Sequence, residues 1–218
     1  MRYLFTCGGT AGHINPAIAV AGKLRELDPE CEVLFVGAKG HMEENLVPRE
    51  GYEIRTVNIT NISRGHSMEA LRHNIDTVRN VLSATRDAKK IIDEFQPDVA
   101  IGTGGYVCYP VLKAANERHV PTAVHESNAV PGLTTKMAAA VADRVLVCFD
   151  ESVKHYKHPD RVEVVGMPVR QEFITTGKTE AKKLLGLEDV QVVVSAFGSQ
   201  GAKVMNENIA GMFPLEQE

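Results

Sequence analysis

The chain has 218 residues, 44% of them hydrophobic and 24% charged, which suffices for one large soluble domain or one domain with part of another. A formal net charge of −4 gives no global support for nucleic-acid binding, so no nucleic-acid partner is expected. The four cysteines (Cys7, Cys31, Cys108, Cys148) are scattered, with no Cys-x-x-Cys and no paired histidines, which reads as reduced thiols in a cytosolic protein rather than a disulfide framework or a zinc site.

In chain order, β-branched and aromatic runs at 3–6, 32–36, 53–57, 99–102, 122–125, 144–148, 162–165 and 190–196 read as strands. Helical patterns alternate with them at 16–27, 41–50, 67–95, 110–118, 131–142, 179–186 and 200–212. Pro16 suits a first helical turn, and Ala17, Val20, Leu24 and Leu27 follow at three- and four-residue spacing. The alternation predicts an α/β, Rossmann-like fold, a mostly parallel sheet with helices on both faces. The N-terminal apolar run is too brief for a secretory signal, and no run approaches the length of a spanning helix, so the chain is expected to be soluble or peripheral.

The stretch 67–95, one helix or two, is predicted to present an apolar face of Met68, Leu71, Ile75, Val78, Leu82, Ile92 and Phe95. Arg72, Arg79 and Arg86 recur beside it. They read either as a solvated flank paired with Glu69, Asp76 and Asp87 or as a basic strip facing anionic lipid headgroups. Around 159–170 a charged turn, a short strand and Gly166-Met167-Pro168-Val169-Arg170 suggest a junction between domains 1–164 and 165–218. Only one further strand follows it. A lone β-α unit is not stable, so 190–196 is expected either to join the first sheet or to begin an incomplete second domain.

Three glycine loops each follow a strand and open a helix: 8–13 (Gly-Gly-Thr-Ala-Gly-His), 102–107 (Gly-Thr-Gly-Gly-Tyr-Val) and 198–202 (Gly-Ser-Gln-Gly-Ala). Glycine lets backbone approach a ligand, and a helix N-terminus offers free N–H groups to an anion. In a parallel sheet all three loops lie at the carboxyl edge, where ligands bind. Known nucleotide fingerprints fail on spacing. Val107 stands where the third glycine of a dinucleotide loop belongs, and Glu172 where the first glycine of a Walker loop belongs.

His13 reads either as a cap on its helix or as a base for an attacking hydroxyl. The polar run His125-Glu126-Ser127-Asn128 is either a sugar-binding edge or a helix-capping turn. Arg170 is either a surface residue or a counter-charge for a diphosphate. No Asp-x-Asp occurs, so the carboxylate pair of a metal-bridged nucleotide diphosphate is missing, and neither metal nor cofactor is expected.

The motifs at 8–17, 104–107, 125–128, 131–134, 166–170 and 198–202, in that order, resemble the MurG transferases over essentially the whole chain. That family transfers N-acetylglucosamine from UDP-N-acetylglucosamine to the 4-hydroxyl of undecaprenyl-diphosphate-N-acetylmuramoyl-pentapeptide in peptidoglycan synthesis, inverting and without metal. The resemblance implies a GT-B fold with an acceptor-binding domain at 1–164 and the start of a truncated UDP-sugar domain at 165–218. It also implies acceptor contacts from Gly8, Gly9, Gly104, Gly105, Tyr106 and Glu126. Thr10, Ala11, Gly12, Asn128, Arg170, Ser199 and Gln200 are implied at the donor, with His13 assisting the attack. It further implies peripheral attachment to the cytoplasmic face of the cell membrane.

Two positions depart from the family pattern: Met167 stands where asparagine is usual, and Phe197 replaces a loop glycine. Since family chains run well past residue 218, this chain alone is expected to be inactive. The alternatives are a non-catalytic acceptor-binding half of a split enzyme, partnered by a separate chain carrying the missing donor half, or a related transferase using another glycolipid.

Overall fold

The structure, a computed structural model, describes residues 1–59, 68–187, 190–196 and 202–212, with backbone only for 68–78. The chain divides into two compact units, residues 1–171 and 172–218.

The first unit contains β1 (Arg2–Thr6), α1 (Ala11–Leu27), β2 (Glu32–Ala38), α2 (Glu43–Arg49), β3 (Glu53–Val57), α3 (Met68–Phe95), β4 (Val99–Gly102), α4 (Cys108–Asn116), β5 (Thr122–Glu126), α5 (Leu133–Ala139), β6 (Arg144–Val147) and β7 (Val162–Val164). The strands form one sheet in the order β3-β2-β1-β4-β5-β6-β7, and every pairing is parallel. This is the expected Rossmann-like architecture.

Because side chains alternate across a strand, β1 and β2 each feed two cores. Phe5, Val33 and Phe35 face α1 and α2, joining Ile14, Ala17, Ile18 and Val47. Leu4, Leu34 and Val36 face the opposite side, joining Ala84, Ala88, Ile92, Val111 and Leu112 from α3 and α4. Phe5 and Phe35 pair in register and stack with ring centroids 5.3 Å apart. Tyr52 closes that side 5.2 Å from Phe35, under the guanidinium of Arg25. A strand buried on both faces must be apolar at consecutive positions, as Val33–Val36 is.

The long helix α3 is a single element, and of its expected apolar face Ile92 and Phe95 pack on the core while Leu82 does not. Leu82 is 62% exposed, whereas Ala84, Thr85, Ala88, Ile91 and Ile92 face the sheet and α4. Small residues let α3 approach the sheet closely, so contact follows backbone proximity and not the positions of the largest apolar side chains. Met68, Leu71, Ile75 and Val78 fall among residues whose side chains are not described. At the far end of α3, Arg118 reaches back from the end of α4 to grip Asp93 with two bonds of 2.7 Å, which holds that carboxyl below its usual range.

The second unit contains α6 (Gln171–Thr175), which begins at the last residue of the first, then α7 (Lys178–Leu184) and α8 (Lys203–Met212). None of its described residues is buried. The strand expected at 190–196 is not formed, and Val190, Val192, Val193 and Val194 are all exposed. An extended segment becomes a strand only when a neighbouring strand satisfies its N–H and C=O groups, and among the described residues no strand pairs with this one.

Candidate active site

The sheet changes direction at β1, with β2 on one side and β4 on the other. The loops leaving β1 and β4 therefore meet at the carboxyl edge with no strand between them, the crevice where such sheets bind ligands. The two loops are stitched together. Gly8 N donates to Gly104 O (3.2 Å), Thr103 N to Thr6 O (3.0 Å), and Thr103 Oγ1 to His13 O (2.6 Å). The buried Cys108 thiol donates to Thr6 O and Gly104 O, and burial pushes its pKa to about 12, so it serves as a donor and not as a nucleophile.

Two glycines make this junction possible. Gly105 has φ +91°, and a Cβ there would stand 2.3 Å from Gly8 O. Gly104 has φ +120°, and a Cβ there would stand 2.5 Å from Cδ2 of His13, so the imidazole lies directly against the second loop.

His13 sits in the first turn of α1 with Nδ1 3.0 Å from Gly8 O and 3.4 Å from Thr10 Oγ1. A carbonyl only accepts, so the geometry assigns the proton to Nδ1 and leaves the Nε2 lone pair bare. Nε2 makes no hydrogen bond to the described residues. Thr10, the N-cap, is extended and makes no side-chain cap bond. The N–H groups of Ala11 and Gly12 thus stand at the positive end of a 17-residue helix without an intrahelical partner.

Other expected site residues are placed differently. The amides of Gly8 and Gly9 are engaged within the protein: Gly8 N donates to Gly104 O, and Gly9 N donates inward to Oε2 of Glu43 (3.2 Å). The amides of Ala11 and Gly12, in the same loop, have no hydrogen-bond partner among the described residues. Glu126 is also turned inward, accepting from Asn128 N (2.9 Å), Asn128 Nδ2 (2.7 Å) and Gly132 N (3.3 Å). It holds the turn that feeds α5, so its carboxylate is occupied and Asn128 is anchored at the crevice rim. The adjacent His125 is buried, with Nε2 3.1 Å from Gly166 O, and burial lowers its pKa. Arg170 pairs with Glu50 (2.8 Å), which caps the end of α2 away from the crevice, so a phosphate would have to compete with that carboxylate. Ser199 and Gln200 lie outside the described residues.

Tyr106 does reach the site: its ring passes Gly9, and its hydroxyl lies 2.7 Å from Nε2 of His41. Burial, with the Glu43 charge second, raises the phenol to about 12 and keeps it protonated. Glu43, His41 and Thr103 are site neighbours that sequence reasoning missed. Nothing in Met42-Glu43-Glu44 distinguishes Glu43 from an ordinary acidic first turn. Among the described residues no three His, Cys, Asp or Glu side chains gather as a metal site.

This crevice and sheet order are those of a Rossmann-like α/β domain that binds its ligand at the carboxyl edge of a parallel sheet. Residues 3–147 match the glycosyltransferase family 28 N-terminal domain, and the chain belongs to that family. It is 44% identical over 207 residues to the UDP-N-acetylglucosamine--N-acetylmuramyl-(pentapeptide) pyrophosphoryl-undecaprenol N-acetylglucosamine transferase of Thermoanaerobacter sp. (strain X514), covering 94% of this chain and 56% of that one. It is 41% identical to the Caldanaerobacter subterraneus enzyme of the same name, covering 99% and 58% respectively. The chain thus spans a little over half the length of these relatives. Among solved structures, Acinetobacter baumannii MurG is similar at TM-score 0.63 and 25% identity, over 78% of this chain and 46% of that one. The fold alone is shared with the UDP-GlcNAc 2-epimerase of Neisseria meningitidis (TM-score 0.57, 14% identity, 87% and 55% covered).

Proposed function

We propose that this chain is the acceptor-binding half of an N-acetylglucosaminyltransferase that acts on undecaprenyl-diphosphate-N-acetylmuramoyl-pentapeptide, with UDP-N-acetylglucosamine as donor. The observation that carries the reading is His13, held against Gly104 with Nδ1 on Gly8 O and Nε2 bare beside the uncapped turn at Ala11 and Gly12. The helix N-terminus at Ala11 and Gly12, which the resemblance implies at the donor, receives the acceptor diphosphate in this reading, because the Gly8 and Gly9 amides are engaged within the fold. Nε2 takes the proton of the sugar 4-hydroxyl as its oxygen bonds to the anomeric carbon, and the bond from that carbon to UDP breaks with inversion. UDP contacts come from the donor half, in the same polypeptide or in a separate chain.

The test is a melting experiment on this chain. A short-chain prenyl-diphosphate-N-acetylmuramoyl-pentapeptide at 100 times its Kd is expected to stabilise it by about 2.7 kcal/mol, and a glycolipid lacking the diphosphate to leave it unchanged. Equal stabilisation by the glycolipid would overturn the acceptor assignment. So would stabilisation by UDP-N-acetylglucosamine without any response to the diphosphate.

The membrane is the second expected partner, reached at its cytoplasmic face. No helix among the described residues is long and apolar enough to cross it. On α3, exposed Leu82 lies about one turn from the exposed Arg86, an apolar residue beside a cation, the pairing that an anionic surface favours. Sedimentation with phosphatidylglycerol vesicles, and its loss in Leu82→Asp, is the expected result. Equal sedimentation of the variant would remove this face from the proposal.

A further inference from the structure

Glu43 is a fully buried carboxylate with no cation beside it among the described residues. Its oxygens accept instead from two backbone amides, Ala38 N at Oε1 (3.0 Å) and Gly9 N at Oε2 (3.2 Å). Glycines make room for it on both sides: a Cβ on Gly8 would stand 2.4 Å from Oε1, and one on Gly37 2.6 Å from Cγ. The ionisable groups around it, Cys7, Cys108 and Tyr106, are all neutral acids with raised pKa values, burial being the first cause. A buried carboxyl group without a cation beside it is costly to desolvate, so the glycines that make room for it point to a role beyond packing.

That role lies in a single peptide unit. The N–H of Gly9 and the C=O of Gly8 belong to the same trans peptide and point in opposite directions. Glu43 accepts from its N–H end, and Nδ1 of His13 donates to its C=O end at 3.0 Å. The chain carboxylate–peptide–imidazole is a series in which each hydrogen bond polarises the next. It matches the carboxylate–imidazole pairing of hydrolytic triads, with one peptide group interposed.

We propose that Glu43 is a positioning residue that acts on His13 through the Gly8–Gly9 peptide, holding the imidazole as the Nδ1–H tautomer with Nε2 free to accept a proton. The negative charge behind Gly9 makes Gly8 O a stronger acceptor. That opposes the preference of a free neutral histidine for a proton on Nε2, and it stabilises the imidazolium formed when Nε2 takes the hydroxyl proton. This deepens the reading of His13 as the base and rests on it for its catalytic meaning, while the tautomer itself does not.

The experiment is long-range 1H–15N correlation of the ring nitrogens in the uniformly labelled chain, at alkaline pH and without substrate. In the wild type, His13 is expected as the Nδ1–H tautomer, with the Gly9 amide proton shifted downfield by its carboxylate acceptor. In Glu43→Gln the Nε2–H fraction rises at least threefold, while Glu43→Asp, which keeps the charge, retains the wild-type tautomer. A wild-type His13 carrying its proton on Nε2 overturns the proposal whether or not any variant folds. A folded Glu43→Gln chain with an unchanged tautomer overturns it as well.

With the donor half present, Glu43→Gln is expected to lower kcat about tenfold and to leave the acceptor KM within twofold, a split that simple loosening of the fold would not produce. If the tautomer behaves as stated but removing His13 leaves turnover intact, the base assignment fails and the link between Glu43 and His13 stands.

Discussion

His13→Gln is expected to lower kcat by about 10²–10⁴-fold, the range that a positioned general base contributes, with the acceptor KM little changed. Glutamine nearly matches histidine in length and can still donate to Gly8 O, so the junction between the glycine loops persists. It offers no basic nitrogen, so the 4-hydroxyl must lose its proton to water. The acceptor diphosphate is assigned to the Ala11 and Gly12 amides, which the substitution leaves in place, and this is why the loss falls on kcat. The measurement is steady-state transfer from UDP-N-acetylglucosamine with the donor half present, joined or supplied separately. A kcat within threefold of wild type would remove His13 from the chemistry.

Gly105→Ala is expected to destabilise the first unit by about 2–5 kcal/mol. About 1–2 kcal/mol comes from placing an L side chain at positive φ, and about 1–3 from forcing a methyl into filled space. The obstacle is backbone: the Gly8 carbonyl oxygen stands 2.3 Å from the new carbon and cannot rotate away as a side chain would. At a urea m-value of about 2 kcal/mol per molar, the unfolding midpoint falls by about 1–2.5 M. Gly40→Ala is the control, because Gly40 has φ +80° but open space around it, so only the conformational cost of about 1–2 kcal/mol remains. Equal losses in the two variants would show that the approach of Gly105 to Gly8 contributes nothing.

Much of this molecule is legible in the order of its residues. Short β-branched and aromatic runs separate the seven strands of the sheet from the helices with their 3.6-residue period, although the same signal at 190–196 forms no strand. Glycines directly after β1 and β4 also mark a ligand edge, since few other residues tolerate such turns. The motif order further marks the family that the match over residues 3–147 establishes. The apolar face of α3 was less legible, because Ala84 and Ala88 carry weak hydrophobic signals yet make the closest approach, while Leu82 is left outside.

The opening glycine loop shows where such reading stops. Its composition predicts backbone amides turned toward an anion, whereas the Gly9 amide donates inward to Glu43. The decisive partner, Glu43, lies 34 residues further along the chain and is brought to the loop by the pairing of β2 with β1. Glu126 teaches the same lesson within six residues, spending its oxygens on Asn128 and Gly132. Residue type and spacing settle which elements form and where a ligand edge lies, because those depend on local geometry and solvent partition. Which way each amide and carboxylate points depends on the partner that folding delivers. Here, tertiary contact engages the Gly9 amide with Glu43 and leaves the amides of Ala11 and Gly12 without a partner among the described residues.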